Sequence, residues 1–325
     1  MTKYLVTGAA GFIGRRVTEM LCAEGHQVVG IDNLNDSYDV RMKTWRLERL
    51  KPLDGFHFIQ RDICDVQTFD EVSRQHADIQ AVIHLAARAG VRQAGEIPQA
   101  YLQTNANGSL NVLEWCRHSR VTKLVLASTS SIYGANPPLP TTEEADSSHP
   151  LQVYAASKKA AEVMAYVYHH LYGLDVTVFR FFTVYGPAGR PDMVMFRFAQ
   201  WVAEGKKVKV TGDGNQMRGF TYVDDIARGI IAGLKPLGYE IINLGGHETI
   251  TINELLAKIE TQMGRKALIE YIPRNPADVD ANWANVDKAR RVLGWEPRVE
   301  LEEGVTALVD WYKQNRSWAS QILTP

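Results

Sequence analysis

Cysteine is scarce in this 325-residue chain: Cys22, Cys64 and Cys116 stand far apart, odd in number and without a Cys-x-x-Cys spacing. Such a set supports neither a disulfide framework nor a thiolate metal site, and a reducing, cytoplasmic location is expected. Histidine pairs at ligand spacing are missing too. His169 and His170 are adjacent and would face different sides of a helix, and no His-x-x-x-His occurs, so no metal is expected. Nor is there an excess of one charge. Lys plus Arg number 36 against 37 Asp plus Glu, without a basic block, which argues against nucleic acid or an anionic membrane as the main partner. No apolar run approaches the roughly 20 residues of a membrane span, and Met-Thr-Lys passes into a strand pattern with no apolar leader. At this length one large and one small lobe, or two domains, are expected.

What the chain does have begins at Gly8-Ala9-Ala10-Gly11-Phe12-Ile13-Gly14, which closes a short apolar strand at 4–7 and opens a helix predicted over 12–24. Gly8 suits the positive φ of a tight turn. Gly11 lets backbone approach a phosphate, and Gly14 lets the helix pack close to a sheet. An anion there would meet free N–H groups and the positive end of the helix dipole. Glycine triplets also make ordinary turns. Here the helix stops at Gly25, a second apolar strand spans 27–31, and Asp32 stands at its tip, placed to accept from the hydroxyls of an adenosine ribose. That acid favours NAD over NADP, whose 2′-phosphate it would repel.

A strand at 56–60 leads to Asp62-Ile63, an acid and an aliphatic that suit an adenine or a simple helix cap equally. The strand at 81–85 ends in Ala86-Ala87, small enough to leave room for a cofactor. A helical pattern over 98–118 carries Asn105 and Asn107 inside it, where Asn is a poor helix former. Asn105 therefore bridges strands, holds a water or lies exposed. The strand at 123–127 runs into Ser128-Thr129-Ser130-Ser131, at the sheet edge where open α/β folds bind ligands, although a hydroxyl-rich loop entry looks the same. A Pro- and acid-rich loop over 136–150 is expected to cross the mouth of the site. Tyr154 and Lys158 then stand four apart on one face of a helix predicted over 153–172. A tyrosine titrating near about pH 10 is a poor base at neutrality, but a neighbouring ammonium and a cationic nicotinamide both favour the phenolate.

Together, Gly8-x-x-Gly11-x-x-Gly14, Asp32, the Thr129 cluster, Tyr154-Ala-Ala-Ser-Lys158 and Arg180-Phe-Phe-Thr-Val-Tyr-Gly-Pro187 resemble the extended short-chain dehydrogenase/reductase family of nucleotide-sugar epimerases and dehydratases. The resemblance implies an α/β fold: a doubly wound parallel Rossmann sheet of about seven strands with a smaller mixed α/β C-terminal lobe. The expected division is 1–180 plus a returning segment near 220–246 for NAD, and 181–219 with 247–325 for a UDP-sugar. It makes Tyr154 the catalytic base, Lys158 its partner and a ribose ligand, and Thr129 the hydroxyl on the reacting sugar oxygen. To the cofactor it assigns Gly8, Gly11, Phe12, Ile13, Gly14, Asp32, Asn33, Asp62, Ile63, Leu85, Ala86, Ala87 and Asn105, besides Tyr154 and Lys158. To the substrate it assigns Arg88, Thr129, Ser130, Ser131, Thr183, Arg190, Arg218 and Asp278. Thr183 stands where the family often has Asn, Gly219 where relatives have Asp, and Ala277 where they have Gly.

Within the family, Ala86–Arg92 and Phe181–Met193 look like UDP-glucuronate 4-epimerases more than UDP-galactose 4-epimerases. A uronic acid needs a cation for its carboxylate, and Arg can meet it with two parallel bonds. Arg190 is the expected clamp, with Arg88 and Arg92 as alternatives. Ser130-Ser131 replace the acid pair typical of a 4,6-dehydratase, and no acid in that loop favours a decarboxylating synthase. UDP-galactose epimerisation is the main rival, and a dinucleotide-sensing module without chemistry is the non-enzymatic one. A homodimer through helices 98–118 and 153–172 is expected by family analogy.

Overall fold

The computed structural model describes residues 1–90, 93–274 and 279–324. The predicted contact Asp278 and the alternative clamp Arg92 lie outside the described residues.

In chain order the strands are β1 (Lys3–Thr7), β2 (Gln27–Ile31), β3 (Phe56–Ile59), β4 (Ala81–His84), β5 (Lys123–Thr129), β6 (Asp175–Phe181), β7 (Thr183–Tyr185), β8 (Lys207–Thr211), β9 (Met217–Tyr222), β10 (Tyr239–Leu244), β11 (Glu248–Thr251), β12 (Leu268–Ile272) and β13 (Ala281–Asn282). The helices are α1 (Phe12–Ala23), α2 (Arg41–Leu50), α3 (Gln67–Gln75), α4 (Pro98–Tyr101), α5 (Gly108–Ser119), α6 (Val153–Tyr172), α7 (Val194–Glu204), α8 (Val223–Ala232), α9 (Ile252–Met263), α10 (Asp287–Leu293) and α11 (Leu301–Ala319).

Seven strands form one sheet in the order β10-β6-β5-β4-β1-β2-β3, with every neighbouring pair parallel. Parallel strands covered on both faces read as continuous apolar runs, and β4 and most of β5 are buried throughout. One face packs Val6, Ile83, Val125, Phe179 and Ile242 with Val17 of α1 and Ile226 of α8. The other packs Leu5, Val82 and Leu124 with Val112 of α5 and Ala161 of α6. The direction of winding reverses between β1 and β4. A crevice therefore opens at the carboxyl ends of those strands, where β1 runs into the Gly8 turn and β5 into Thr129.

A second sheet is built on β9, antiparallel to β11 and parallel to β7 and β13, while β8 and β12 form a separate parallel pair. Phe198, Leu255, Ile259, Val305 and Leu308 fill the core beneath them. Helix α9 starts at a reciprocal capping box between Thr251 and Glu254, as its sequence predicts. The stretch 284–295, expected in the smaller lobe, instead buries Ala289 and Trp295 in the core of the large sheet, with Trp295 Nε1 donating to Asp225 O at 2.7 Å. The amphipathic spacing of Val305, Leu308, Val309 and Tyr312 predicts a last helix over 302–314; α11 runs five residues farther, because Trp318 stacks on Trp45 of α2 at 5.9 Å. Among the described residues no helix is long and apolar enough to cross a membrane.

Candidate active site

The crevice is a cleft of roughly 610 Å³ that runs from Asp32 and Asp62 past Thr129 and Tyr154 to Arg190 and Arg218. At its start Gly8 has φ of 73° and donates to Ile31 O at 2.7 Å. A Cβ on Gly14 would lie 2.1 Å from Gly8 O, so only glycine permits this helix to begin so close to the turn. Gly11 caps α1 without a side-chain bond, which leaves first-turn N–H groups for an anion. A Cβ on Gly11 would meet Gly8 O at 2.8 Å; the turn itself demands this glycine, whatever approaches it.

Asp32 accepts from Ala10 N at 3.2 Å and Leu34 N at 2.9 Å, which fixes its carboxylate at the strand tip. Lys43, which the sequence reading missed, lines the cleft 3.9 Å from Asp32 and donates to Asn35 at 2.8 Å. Its signal was a cation on the apolar stripe of α2, beside Met42 and Leu47. Asp62 accepts from Asn33 Nδ2 and from Cys64 N, both at 2.8 Å, and its carbonyl takes the Thr68 hydroxyl; the turn function and a place on the cleft wall coexist. Leu85, Ala86 and Ala87 form the floor.

Asn105 does not open on the cleft. A single π-helical turn, Leu102–Asn107, joins α4 to α5 and directs Asn105 inward to complete burial. Its Oδ1 accepts from Arg88 N at 2.8 Å, and its Nδ2 donates to Arg88 O and Ser157 Oγ, both at 2.9 Å. It therefore clamps the strand β4 exit to the catalytic helix, in place of the predicted cofactor contact. Arg88 is held through its backbone in this clamp, and its charge acts on Lys43 and Asp62 of the cleft wall. The chain of bonds continues from Asn105 O through Ser109 to His84 and on to Thr7, next to the Gly8 turn. His84 stays neutral: burial first, then the charge of Lys158, pushes its pKa down to about 3.

Tyr154 and Lys158 share one face of α6, as predicted, but their electrostatics differ from the expectation. Burial pushes the Tyr154 hydroxyl up from its ordinary value, and a hydrogen bond from Thr129 and the charge of Arg190 pull it back; Lys158 is not among these causes. Desolvation outweighs the helix neighbour because the ring is packed beneath Tyr101, edge-on at 6.2 Å. Lys158 is 2% exposed, and its Nζ has no hydrogen-bond partner among the described residues. Burial lowers it to about 8, opposed by Glu162 one turn along. Glu162 is held by Ser128 at 2.6 Å and by Arg180 at 3.1 and 2.9 Å. An ammonium buried in the cleft wall without an acceptor among the described residues fits a ribose hydroxyl pair, and with the Gly8 turn and Asp32 the residues present fit NAD.

Thr129 caps the turn of Ser130–Tyr133 by accepting from Ser131 N at 3.2 Å, so its hydroxyl is held toward the cleft. Ser130 accepts from Asn282 of β13 at 3.1 Å, a link between the two sheets. Thr183 lines the cleft as well. Arg190 reaches the cleft with its charge already partnered: Nε and Nη2 donate to Asp192 at 3.0 and 2.5 Å, and Nη2 to Ala89 O at 3.1 Å. Although burial alone would lower its pKa, Asp192 outweighs that and holds the guanidinium charged. Arg218 lies at the far end, donating to the carbonyls of Met217, Val279 and Asp280.

The chain is 54% identical to the UDP-glucuronate 4-epimerase of Thermodesulfobacterium geofontis over 316 residues, 97% of each protein. The crystal structure of UDP-glucuronic acid 4-epimerase from Bacillus cereus with UDP-glucuronic acid and NAD superposes with a TM-score of 0.91 at 35% identity, covering 97% of this chain and all of that one. UDP-glucose 4-epimerase from Thermotoga maritima with UDP-glucose gives 0.90 at 31%, again over 97% of this chain and all of the other. Residues 4–245 match the NAD dependent epimerase/dehydratase family, and the chain belongs to that family.

Proposed function

We propose that this protein interconverts UDP-glucuronate and UDP-galacturonate by NAD-dependent epimerisation at carbon 4. The observation that carries the reading is the convergence of Tyr154, Thr129 and a charged Arg190 on one cleft, close enough that Arg190 lowers the tyrosine's pKa. Asp32, the Gly8 turn and Lys158 would hold NAD, which supplies the hydride acceptor and donor. Tyr154 takes the proton of the 4-hydroxyl as a phenolate, which burial opposes and which Thr129, Arg190 and a bound cationic nicotinamide would favour, while Thr129 donates to the same sugar oxygen and steadies the charge that develops there. On return to the opposite face of the sugar, the tyrosine gives its proton back. Arg190 meets the carboxylate at carbon 6, with Ser130, Ser131 and Thr183 along the same wall. The 4-keto sugar is a β-keto acid, so a held carboxylate also keeps its C–C bond away from the alignment that releases carbon dioxide. Arg218 lies where the diphosphate would end.

Three unpaired cysteines fit a cytoplasmic location. Helix α6 leaves Val163, Tyr166, Val167 and Leu171 between 44 and 60% exposed, a stripe that a second copy of the chain would cover in a homodimer.

Incubation of the purified protein with UDP-glucuronate and, separately, UDP-glucose tests the reading, with products resolved by NMR. Conversion of the uronate to its galacto epimer is expected. Conversion of UDP-glucose alone would reassign the activity to the neutral hexose. Arg190→Ala should lower turnover on the uronate by about 10–100-fold, the loss expected for one charge-assisted contact.

A further inference from the structure

Arg46 is among the largest fully buried side chains of the described residues, and it does not line the cleft. A guanidinium with no exposure needs its donors satisfied, and here they are spent on three separate loops. Nε and Nη2 donate to Ala188 O at 3.0 and 2.8 Å, and Nη2 also to Gly189 O at 3.0 Å. Nη1 donates to Tyr38 Oη at 2.7 Å and to Ala10 O at 3.4 Å. Ala10 belongs to the glycine turn, and its own N–H is held by Asp32. Ala188 and Gly189 lead directly into Arg190. Ala188 has φ of 56°, a left-handed conformation that is costly for a residue with a Cβ, so this backbone persists only where its surroundings impose it. Two of the guanidinium donors converge on the carbonyl of that one residue.

We infer that Arg46 is the positioning residue for the substrate-carboxylate clamp: it locks the Ala188-Gly189 backbone to the glycine turn and so sets Arg190 at a fixed place relative to the cofactor. This rests on the proposed uronate reading and extends it to a residue that touches neither ligand. Lysine cannot substitute, because a compact ammonium lacks the planar fork that spans three carbonyls and a phenol. Helix α2 holds Arg46 from behind, since Trp45 on its outer face packs on Trp311 at 5.4 Å and Arg41 donates to Gln321 O at 2.5 Å.

The test is calorimetric binding of UDP-glucuronate, UDP-glucose and UDP to protein saturated with NAD, in a Tyr154→Phe background that prevents turnover. Arg46→Lys is expected to weaken UDP-glucuronate roughly tenfold while UDP changes less than about twofold, the size of one charged hydrogen bond misplaced. In an Arg190→Ala background it should add nothing, because both changes remove the same contact. Arg46→Met, which buries no charge, carries the comparison if the lysine variant does not fold. Retained preference for the uronate, a parallel loss for all three ligands, or full additivity with Arg190→Ala would overturn the inference. If the Tyr154→Phe protein with native Arg46 shows no preference for UDP-glucuronate over UDP-glucose, the functional reading itself fails, which is a separate result.

Discussion

Lys158 shows what a buried, unpartnered charge costs the fold that carries it. Its ammonium is buried without an acceptor among the described residues, so Lys158→Met should abolish activity in the NAD-loaded protein yet raise the stability of the cofactor-free protein by roughly 1–3 kcal/mol at neutral pH. The sign of the pH dependence follows from the lowered pKa. The unfolded chain holds the proton up to its ordinary value, whereas the folded protein releases it near 8, so the penalty is complete below about 8 and fades as pH rises toward 10.5. Chemical denaturation of both proteins at pH 7 and pH 10 should therefore show a gap that narrows at the higher pH. A gap that widens would contradict the assignment. The Tyr154–Lys158 pair was legible from its spacing taken together with the glycine turn and the hydroxyl cluster upstream. The direction of the tyrosine's shift was not, because it depends on how much water the tertiary packing excludes and on Arg190, a residue 36 positions away in the chain.

Between single residues and the whole fold, the Pro98–Ser119 stretch shows how an element can be read correctly and its function missed. Helical periodicity is present, and the poor helix former at 105 marks the place where the helix widens into a π turn. Sequence left that asparagine bridging, water-bound or exposed, since the three bonds that settle it come from Arg88 and Ser157, distant in sequence. Asn105→Leu keeps the volume and removes all three. It should destabilise the protein by about 2–4 kcal/mol and lower kcat with less effect on NAD retention, measured by denaturation and steady-state kinetics. The same limit applies to α11, whose predicted end fell short because Trp318 is kept helical by an aromatic partner on α2.

For the molecule as a whole, the exposed apolar stripe on α6 lies on the helix that also carries Tyr154 and Lys158, so covering it would steady the catalytic face. Val163→Glu combined with Leu171→Glu should convert a dimer into a monomer in sedimentation experiments at micromolar concentration. An unchanged mass would place the dimer contact, if one forms, elsewhere. Helix α2 plays a comparable integrating part inside one chain. Its outer face meets the C-terminal helix through Trp45, and its inner face delivers Lys43 to the adenosine end and Arg46 to the loop before Arg190. No local motif announces that arrangement.

Fold class, the glycine turn, Asp32, the hydroxyl cluster and the Tyr–Lys pair were all readable because each depends on neighbours within a few positions: a turn that only glycine allows, an apolar period, a spacing of one helical turn. Partnership was not readable. That Asn105 is buried and bonded within the protein, that Lys43 enters the cleft beside Asp32, and that Arg190 arrives already paired with Asp192 follow from contacts between strands and loops remote in sequence. Burial and charge compensation are sums over those contacts, and they take their values only once the chain is packed.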